Sequence, residues 1–306
     1  MSDQAGANVA GGANVADGVN DGVIAFDWPE REAVRHAKFR KQSWPSSLIR
    51  NITKVDASAK AGVNIDLGAM CHDFGRVINP KKLVQWLAIG SEVLAGFEVK
   101  SMVRTVGAAG AEMTVTADDG RVETFDAIVV ANGAGMPAML GNLMIDGIAL
   151  DITSGQVSHI PVTPASAHLD VGLSFGGYLT PAVDGFHEAG ATFDRDPCDD
   201  VTIAGHQHNL QLLPPCLRPL FTGIEAQNLT GRTSRRASTP DRNPVWGSIG
   251  ENVFVLGALG ARGFTFGPLL GDQLGALILG RAVGMGLASR ALLDPFRFRL
   301  RASRLT

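Results

Sequence analysis

Tyrosine occurs once in this 306-residue chain, at Tyr178, and cysteine only three times, at Cys71, Cys198 and Cys216. Three widely spaced cysteines cannot build a disulfide framework, and they do not have the spacing of zinc ligands. A reducing compartment, the cytoplasm, is the simplest setting for them. Apolar runs long enough to span a bilayer, roughly 20 residues, are missing, and so is a basic-then-apolar signal peptide at the start. No membrane partner is therefore expected. Charge is sparse as well: charged residues make up 19% and the net charge is −3. Such a molecule does not bind nucleic acid through its overall field, so contact with a polyanion needs a local basic patch.

Hydrophobic residues make up 45% of the chain. That is enough for a real core in one large or two modest domains. Residues 1–22 are a biased tract, with GANVA at Gly6–Ala10 and again at Gly12–Ala16. It has little to bury and is expected to be a disordered leader. Order is expected from Val23. A helix should follow Asp27-Trp-Pro-Glu with Asp27 as its cap, and a second should run from Leu48 to Ala61. Alternation at Val63–Leu67 predicts a strand. Asn79-Pro80 predicts a capped helix to about Leu94. Val99–Val106, Glu112–Ala117 and Val122–Phe125 predict a strand meander, turned at Asp118-Asp119-Gly120. Further strands are expected at Phe125–Ala131, Gly155–Pro161, Gly177–Pro181 and Phe186–Phe193, and a helix within Asp199–Leu213.

Asn252–Gly280 organises the rest. A buried strand signal at Val253–Leu256 is followed by the turn Gly257-Ala-Leu-Gly260-Ala-Arg262-Gly263. Pro268 then stands where a helix could begin, and Leu269, Leu270, Leu274, Leu277 and Ile278 recur at helical spacing. Strand, glycine turn and helix can aim free N–H groups at an anion. The same pattern also serves as an ordinary tight turn in an α/β core.

Seven segments, in order, carry a resemblance. They are GRVINPKKL (Gly75–Leu83), VVANGAG (Val129–Gly135), SGQVSHIPVTP (Ser154–Pro164), GYLTP (Gly177–Pro181), GATFDRD (Gly190–Asp196), RASTPDRNPVWG (Arg236–Gly247) and GALGARGFTFGPLLGDQL (Gly257–Leu274). Together they resemble the FAD-dependent amino-acid oxidase family of the D-amino-acid oxidase and glycine oxidase type. The likeness is strongest to its tRNA-modifying branch, in which the oxidase is joined to a methyltransferase. The family opens with a strand–GxGxxG–helix unit that holds the ADP part of FAD, and no such unit stands at the N-terminus here. A start beyond that unit is expected, with the unit or a methyltransferase supplied elsewhere. The resemblance implies a mixed α/β fold. FAD-binding parts should lie near residues 75–135 and 250–285, and substrate-binding parts near 23–74 and 140–249.

It also implies FAD contacts at Ala131, Asn132 and Gly133, and at Gly260, Arg262, Gly263, Phe264 and Thr265. The substrate's carboxylate would be held by Tyr178, Arg236 and Arg262. By residue type alone, Asn132-Gly133 is equally a strand-end turn, and Arg236 a solvated charge beside Arg232 and Arg235. No catalytic base is named. His206 and His208 lack a ligand-spaced partner and read as surface residues rather than metal ligands; His159 reads as a hydrogen-bonded strand residue. The basic stretches Arg232–Arg242 and Arg297–Arg304 could meet a phosphate backbone or be solvated.

Three functions remain open. The chain could oxidise the carboxymethylaminomethyl group of a tRNA wobble uridine, with O2 as electron acceptor. It could oxidise free amines such as glycine or sarcosine. It could also be a non-catalytic remnant, or a module dependent on a partner.

Overall fold

The computed structural model describes residues 22–298, except 108–109, 144–147 and 197. The tract at 1–21 and the basic tail from 299 onward lie outside the described residues. In chain order the strands are β1 (Val23–Phe26), β2 (Ile49–Ile52), β3 (Ala69–His72), β4 (Val99–Gly107), β5 (Gly110–Ala117), β6 (Val122–Phe125), β7 (Ile128–Val130), β8 (Asp151–Pro161), β9 (Gly172–Ser174), β10 (Tyr178–Leu179), β11 (Phe186–Gly190), β12 (Thr230–Ser238), β13 (Val245–Gly250) and β14 (Val253–Gly257). The helices are α1 (Glu30–Arg40), α2 (Lys54–Ala61), α3 (Pro80–Leu87), α4 (Met136–Asn142), α5 (Ile203–Leu212), α6 (Gly263–Ile278) and α7 (Leu287–Leu293).

The chain divides into two compact units. The first comprises Met1–Glu92, Gln156–Phe193 and Asp200–Thr233, and the second Val93–Gly155, Asp194–Asp199 and Ser234–Thr306. An eight-stranded mixed sheet runs in the order β12-β8-β11-β10-β9-β1-β3-β2. The core of the first unit is built on it from Ile24, Phe26, Ile160, Leu173 and Leu179, all essentially buried. The second unit holds two three-stranded sheets, β13-β14-β7 and the meander β4-β5-β6. Met113, Met136, Val245 and Val255 form its centre. The meander turns where Asp118-Asp119-Gly120 predicted, with Gly120 at φ +88° and its N–H donated to the Ala117 carbonyl.

Asn79 caps α3 as expected, accepting from the Lys82 N–H at 3.1 Å, and Pro80 is the first residue. That helix ends at Leu87 rather than Leu94. Four other local expectations are corrected by tertiary demands. Pro29, not Asp27, precedes α1, because the Asp27 carboxylate is taken by His36 Nδ1 and Arg40 Nη2 at 2.8–2.9 Å. The expected helix from Leu48 is divided. Ile49–Ile52 pair with β3, and the helix starts only after Thr53, whose hydroxyl accepts from the Asp56 N–H. Val63–Leu67 is not a strand: Val63 and Ile65 are buried as the alternation implied, but the Ile65 N–H donates to Ser58 Oγ on α2. Finally, α6 begins at Gly263, which leaves Pro268 inside the helix. Its missing N–H removes one bond of the ladder. The packing of Leu270 and Leu274 on Trp246 secures the helix beyond it, and the Trp246 indole N–H donates to the Leu270 carbonyl at 2.9 Å.

Candidate active site

Strands β7 and β14 are parallel neighbours, with Val253 beside Ile128 and Val255 beside Val130. Their carboxyl ends therefore emerge on one side of the sheet, where open α/β sheets bind ligands. From β7 the chain passes through Ala131 and Asn132 into a 3-10 turn, Gly133–Gly135, and then α4. Gly133 sits at φ +61°, and a Cβ there would meet nothing within 4 Å. A Cβ at Gly135 would stand 2.9 Å from the Asn132 side-chain amide nitrogen, so that amide packs where only glycine allows it. Gly133, Gly135 and Ala138 also have the G-x-G-x-x-A spacing of a nucleotide-binding turn.

After β14 the backbone is strained. Ala258 holds φ +55° while only 3% exposed, and Gly260 follows at φ +55°. A left-handed alanine costs about 1–2 kcal/mol, so neighbours must fix it. Leu259 does so through an antiparallel bridge to Ser238. Gly260–Arg262 then make one 3-10 turn into α6. No side chain caps α6, which continues directly from that 3-10 turn. A Cβ at Gly263 would likewise meet nothing within 4 Å. Phe264 is 54% exposed, and Thr265 is also exposed. Beside β7 lies an apolar cavity of about 360 Å³, lined by residues 127–132 together with Phe97, Met102, Val115 and Phe125.

The two arginines singled out by sequence both belong to the second unit, where they are held separately. Arg236, on β12, is half-buried, and its guanidinium occupies the space a Cβ of Gly155 would need. On the same strand face as Gly155 is Thr153, 6% exposed, whose hydroxyl has no hydrogen-bond partner. An unsatisfied buried group of this kind costs about 1–3 kcal/mol, and sequence alone gave no sign of it. Arg262 is exposed; its guanidinium stacks 4.9 Å from the Phe266 ring centre and donates to the Arg242 carbonyl.

Tyr178 belongs to the first unit. It pairs with Gly190 across β10 and β11. A Cβ at Gly190 would lie 3.4 Å from the tyrosine hydroxyl and 3.4 Å from Val157 Cγ2, so the phenol leans over the glycine.

The histidines divide by depth. His206 is buried, not on the surface, with Nδ1 2.7 Å from Ser158 Oγ, and burial lowers its pKa, helped by nearby His159. His208 is exposed as expected. His187 donates from Nδ1 to the Thr180 carbonyl, which leaves Nε2 to accept from Ser166 Oγ at 2.9 Å; burial lowers its pKa too. No group of three potential metal ligands occurs among the described residues. Nor is any described helix long and apolar enough to cross a membrane. Among the described residues, some arginines of the basic stretches are paired. Arg235 closes on Asp199 at 2.6 Å, and Arg297 is buried against Asp241 at 2.9 Å rather than solvated.

Two glycine turns on one edge of a parallel strand pair, each with room a side chain would fill, fit a flat cofactor with an anionic reduced form. Residues 14–277 match the family described as DAO, FAD dependent oxidoreductase, and the chain belongs to that family. Its cofactor is FAD. Among its relatives is the tRNA 5-methylaminomethyl-2-thiouridine biosynthesis bifunctional protein MnmC. The Idiomarina loihiensis form is 27% identical over 85% of this chain and 42% of its own length. That of Caulobacter sp. K31 is 29% identical over 92% and 45%. The chain thus spans about half the length of these relatives. Among solved structures, glycine oxidase from Geobacillus kaustophilus superposes with a TM-score of 0.69 at 19% identity, over 90% of this chain and 75% of its own. Iminodiacetate oxidase from Chelativorans sp. BNC1 gives 0.68 at 21%, over 89% and 74%.

Proposed function

We propose that this oxidoreductase acts on the CH–NH group of an amine that also carries a carboxylate, and that its substrate is the carboxymethylaminomethyl group of a tRNA wobble uridine, with O2 as electron acceptor. The observation that carries the reading is the pair of open glycine turns at the carboxyl ends of β7 and β14. The tRNA substrate is supported by the relatives named for tRNA 5-methylaminomethyl-2-thiouridine biosynthesis. Ala131, Asn132 and Gly133 would hold FAD from one turn, and Gly260, Arg262, Gly263, Phe264 and Thr265 from the other. Held there, FAD would supply the two-electron acceptor that oxidation of the carbon beside the amine nitrogen needs. Around it the protein has three tasks. The positive end of the helix dipole, where the Gly260–Arg262 turn runs into α6, steadies negative charge. Arg236 and Arg262 of the second unit, and Tyr178 of the first, are each a group suited to the substrate's acid. The unsatisfied Thr153 hydroxyl can add one donor to an anion near Arg236.

A second reading, oxidation of free glycine or sarcosine, is favoured by the pairing of three described arginines of the basic stretches within the chain. Arg235 and Arg297 each pair closely with an internal carboxylate, and Arg232 lies 3.4 Å from Glu188, leaving less charge at these three for a phosphate backbone.

One experiment separates the readings. Protein supplied with FAD should show a flavin spectrum and convert 5-carboxymethylaminomethyl-uridine in undermodified tRNA. Peroxide release from sarcosine with unchanged tRNA establishes the second reading instead. A protein that takes up no FAD rules out both.

A further inference from the structure

The side chain next to Gly190 on the same face of β11 is Glu188, since strand residues two apart share a face. Across β8 it stands opposite His159. Its carboxylate lies 3.9 Å from His159 Nε2 and 3.4 Å from Arg232 Nη2 of β12. His159 Nδ1 is in turn 3.5 Å from Thr230 Oγ1. These contacts are slack. A charge-assisted bond spans about 2.7–2.9 Å, and Arg50–Asp73 and Arg235–Asp199 reach 2.8 and 2.6 Å. The carboxylate is thus flanked by a cation without being closed onto it.

Its position is also unusual. Both β8 and β11 are interior strands of the eight-stranded sheet. On their other face Ser158, Ile160, His187 and Ala189 are at most 1% exposed. On this face the side chains of His159, Glu188 and Arg232 are 31%, 37% and 45% exposed. Tyr178 is the diagonal neighbour of Glu188, since it pairs with Gly190. Diagonal neighbours in an antiparallel pair lie about 7–8 Å apart, within reach of one small ligand between long side chains.

We propose that Glu188, steadied by Arg232 and His159, binds the substrate's ammonium nitrogen and accepts its proton while the phenol of Tyr178 meets the acid end. This rests on the amine-oxidase reading, under which the nitrogen must be neutral before the adjacent carbon gives up hydride. In the step, one N–H bond of the ammonium breaks, its electron pair stays on nitrogen, and the proton passes to a Glu188 carboxylate oxygen. Nothing is oxidised or reduced. Among the described residues, Arg232 of β12 and His159 of β8 contact Glu188 and Tyr178 of β10 is its diagonal neighbour, while His206 of α5 bonds Ser158 on the opposite face.

The test uses the FAD-loaded protein, Glu188→Gln and Glu188→Asp. Sarcosine turnover is followed over pH, and calorimetry measures the binding of sarcosine and of propionate, an acid without the amine. Glu188→Gln should lower kcat/KM and sarcosine affinity by about 10- to 100-fold, as for loss of a bond to a charged group. It should also abolish the acid limb of kcat/KM and leave propionate binding unchanged. Glu188→Asp should recover part of the loss. Equal weakening of both ligands, or no effect on either, overturns the proposal even with normal wild-type turnover. A wild type that oxidises no amine overturns the amine-oxidase reading and this proposal with it.

Discussion

Arg236 shows how one side chain depends on an absent one. Its guanidinium lies where Gly155 has no Cβ, so Gly155→Ala should displace it and raise KM as much as Arg236→Ala does, by about 10- to 100-fold with kcat less affected. Steady-state kinetics on both variants checks this, and an unchanged KM in Gly155→Ala would separate the arginine from substrate. Gly133→Ala should act differently. At φ +61° the new side chain is strained by about 1 kcal/mol or more, and it fills the open space, so FAD binding should weaken in a titration while the fold survives. The motifs named Arg236, Arg262 and Tyr178 by resemblance. They could not show that Arg262 stacks on Phe266, that Thr153 is buried without a partner, or that Glu188 shares a sheet face with the tyrosine. The first depends on one turn of helix forming at Arg262, the others on strand pairing and burial, and a motif records neither.

Among the elements, α6 illustrates both the strength and the limit of pattern reading. Its apolar spacing correctly marked a helix, yet its start was set by the turn after β14 rather than by Pro268. Gly271 and Gly275 lie within it, and a Cβ at either would meet nothing within 4 Å. Glycine in a helix is less stable than alanine by about 0.5–1 kcal/mol, so Gly271→Ala should raise the melting temperature by a few degrees, measurable by calorimetry. The stretch Ile49–Ile52 shows the opposite case. Nothing local marks it as a strand; pairing with β3 makes it one. The meander needed no such help, because alternation and an Asp-Gly turn encode a hairpin locally.

For the whole molecule, the stability consequences differ between the two units. In the first, Arg50 and then the Cys71 thiol hold the Asp73 carboxyl down to about 2. A depressed carboxyl contributes stability above its ordinary pKa and loses it as pH falls through the folded value. The melting temperature should therefore drop between about pH 4 and pH 2, and less steeply in Asp73→Asn. Burial raises Cys71 to about 11, and here the sign reverses: its contribution is full below pH 9 and lost as pH rises toward 11. In the second unit Asp241→Asn leaves the buried Arg297 uncompensated and should cost about 3 kcal/mol in a denaturant titration.

The amino-acid sequence by itself determined the local turns, the order of most elements and the family, because hydrophobic period, glycine and proline positions and short motifs act over a few residues. Only the tertiary structure decided which faces of those elements are open, which cations are already paired, and that the turns after β7 and β14 share one edge. Those are consequences of strand pairing and burial between residues separated by tens of positions, and by more than a hundred for β7 and β14, and no local pattern records them.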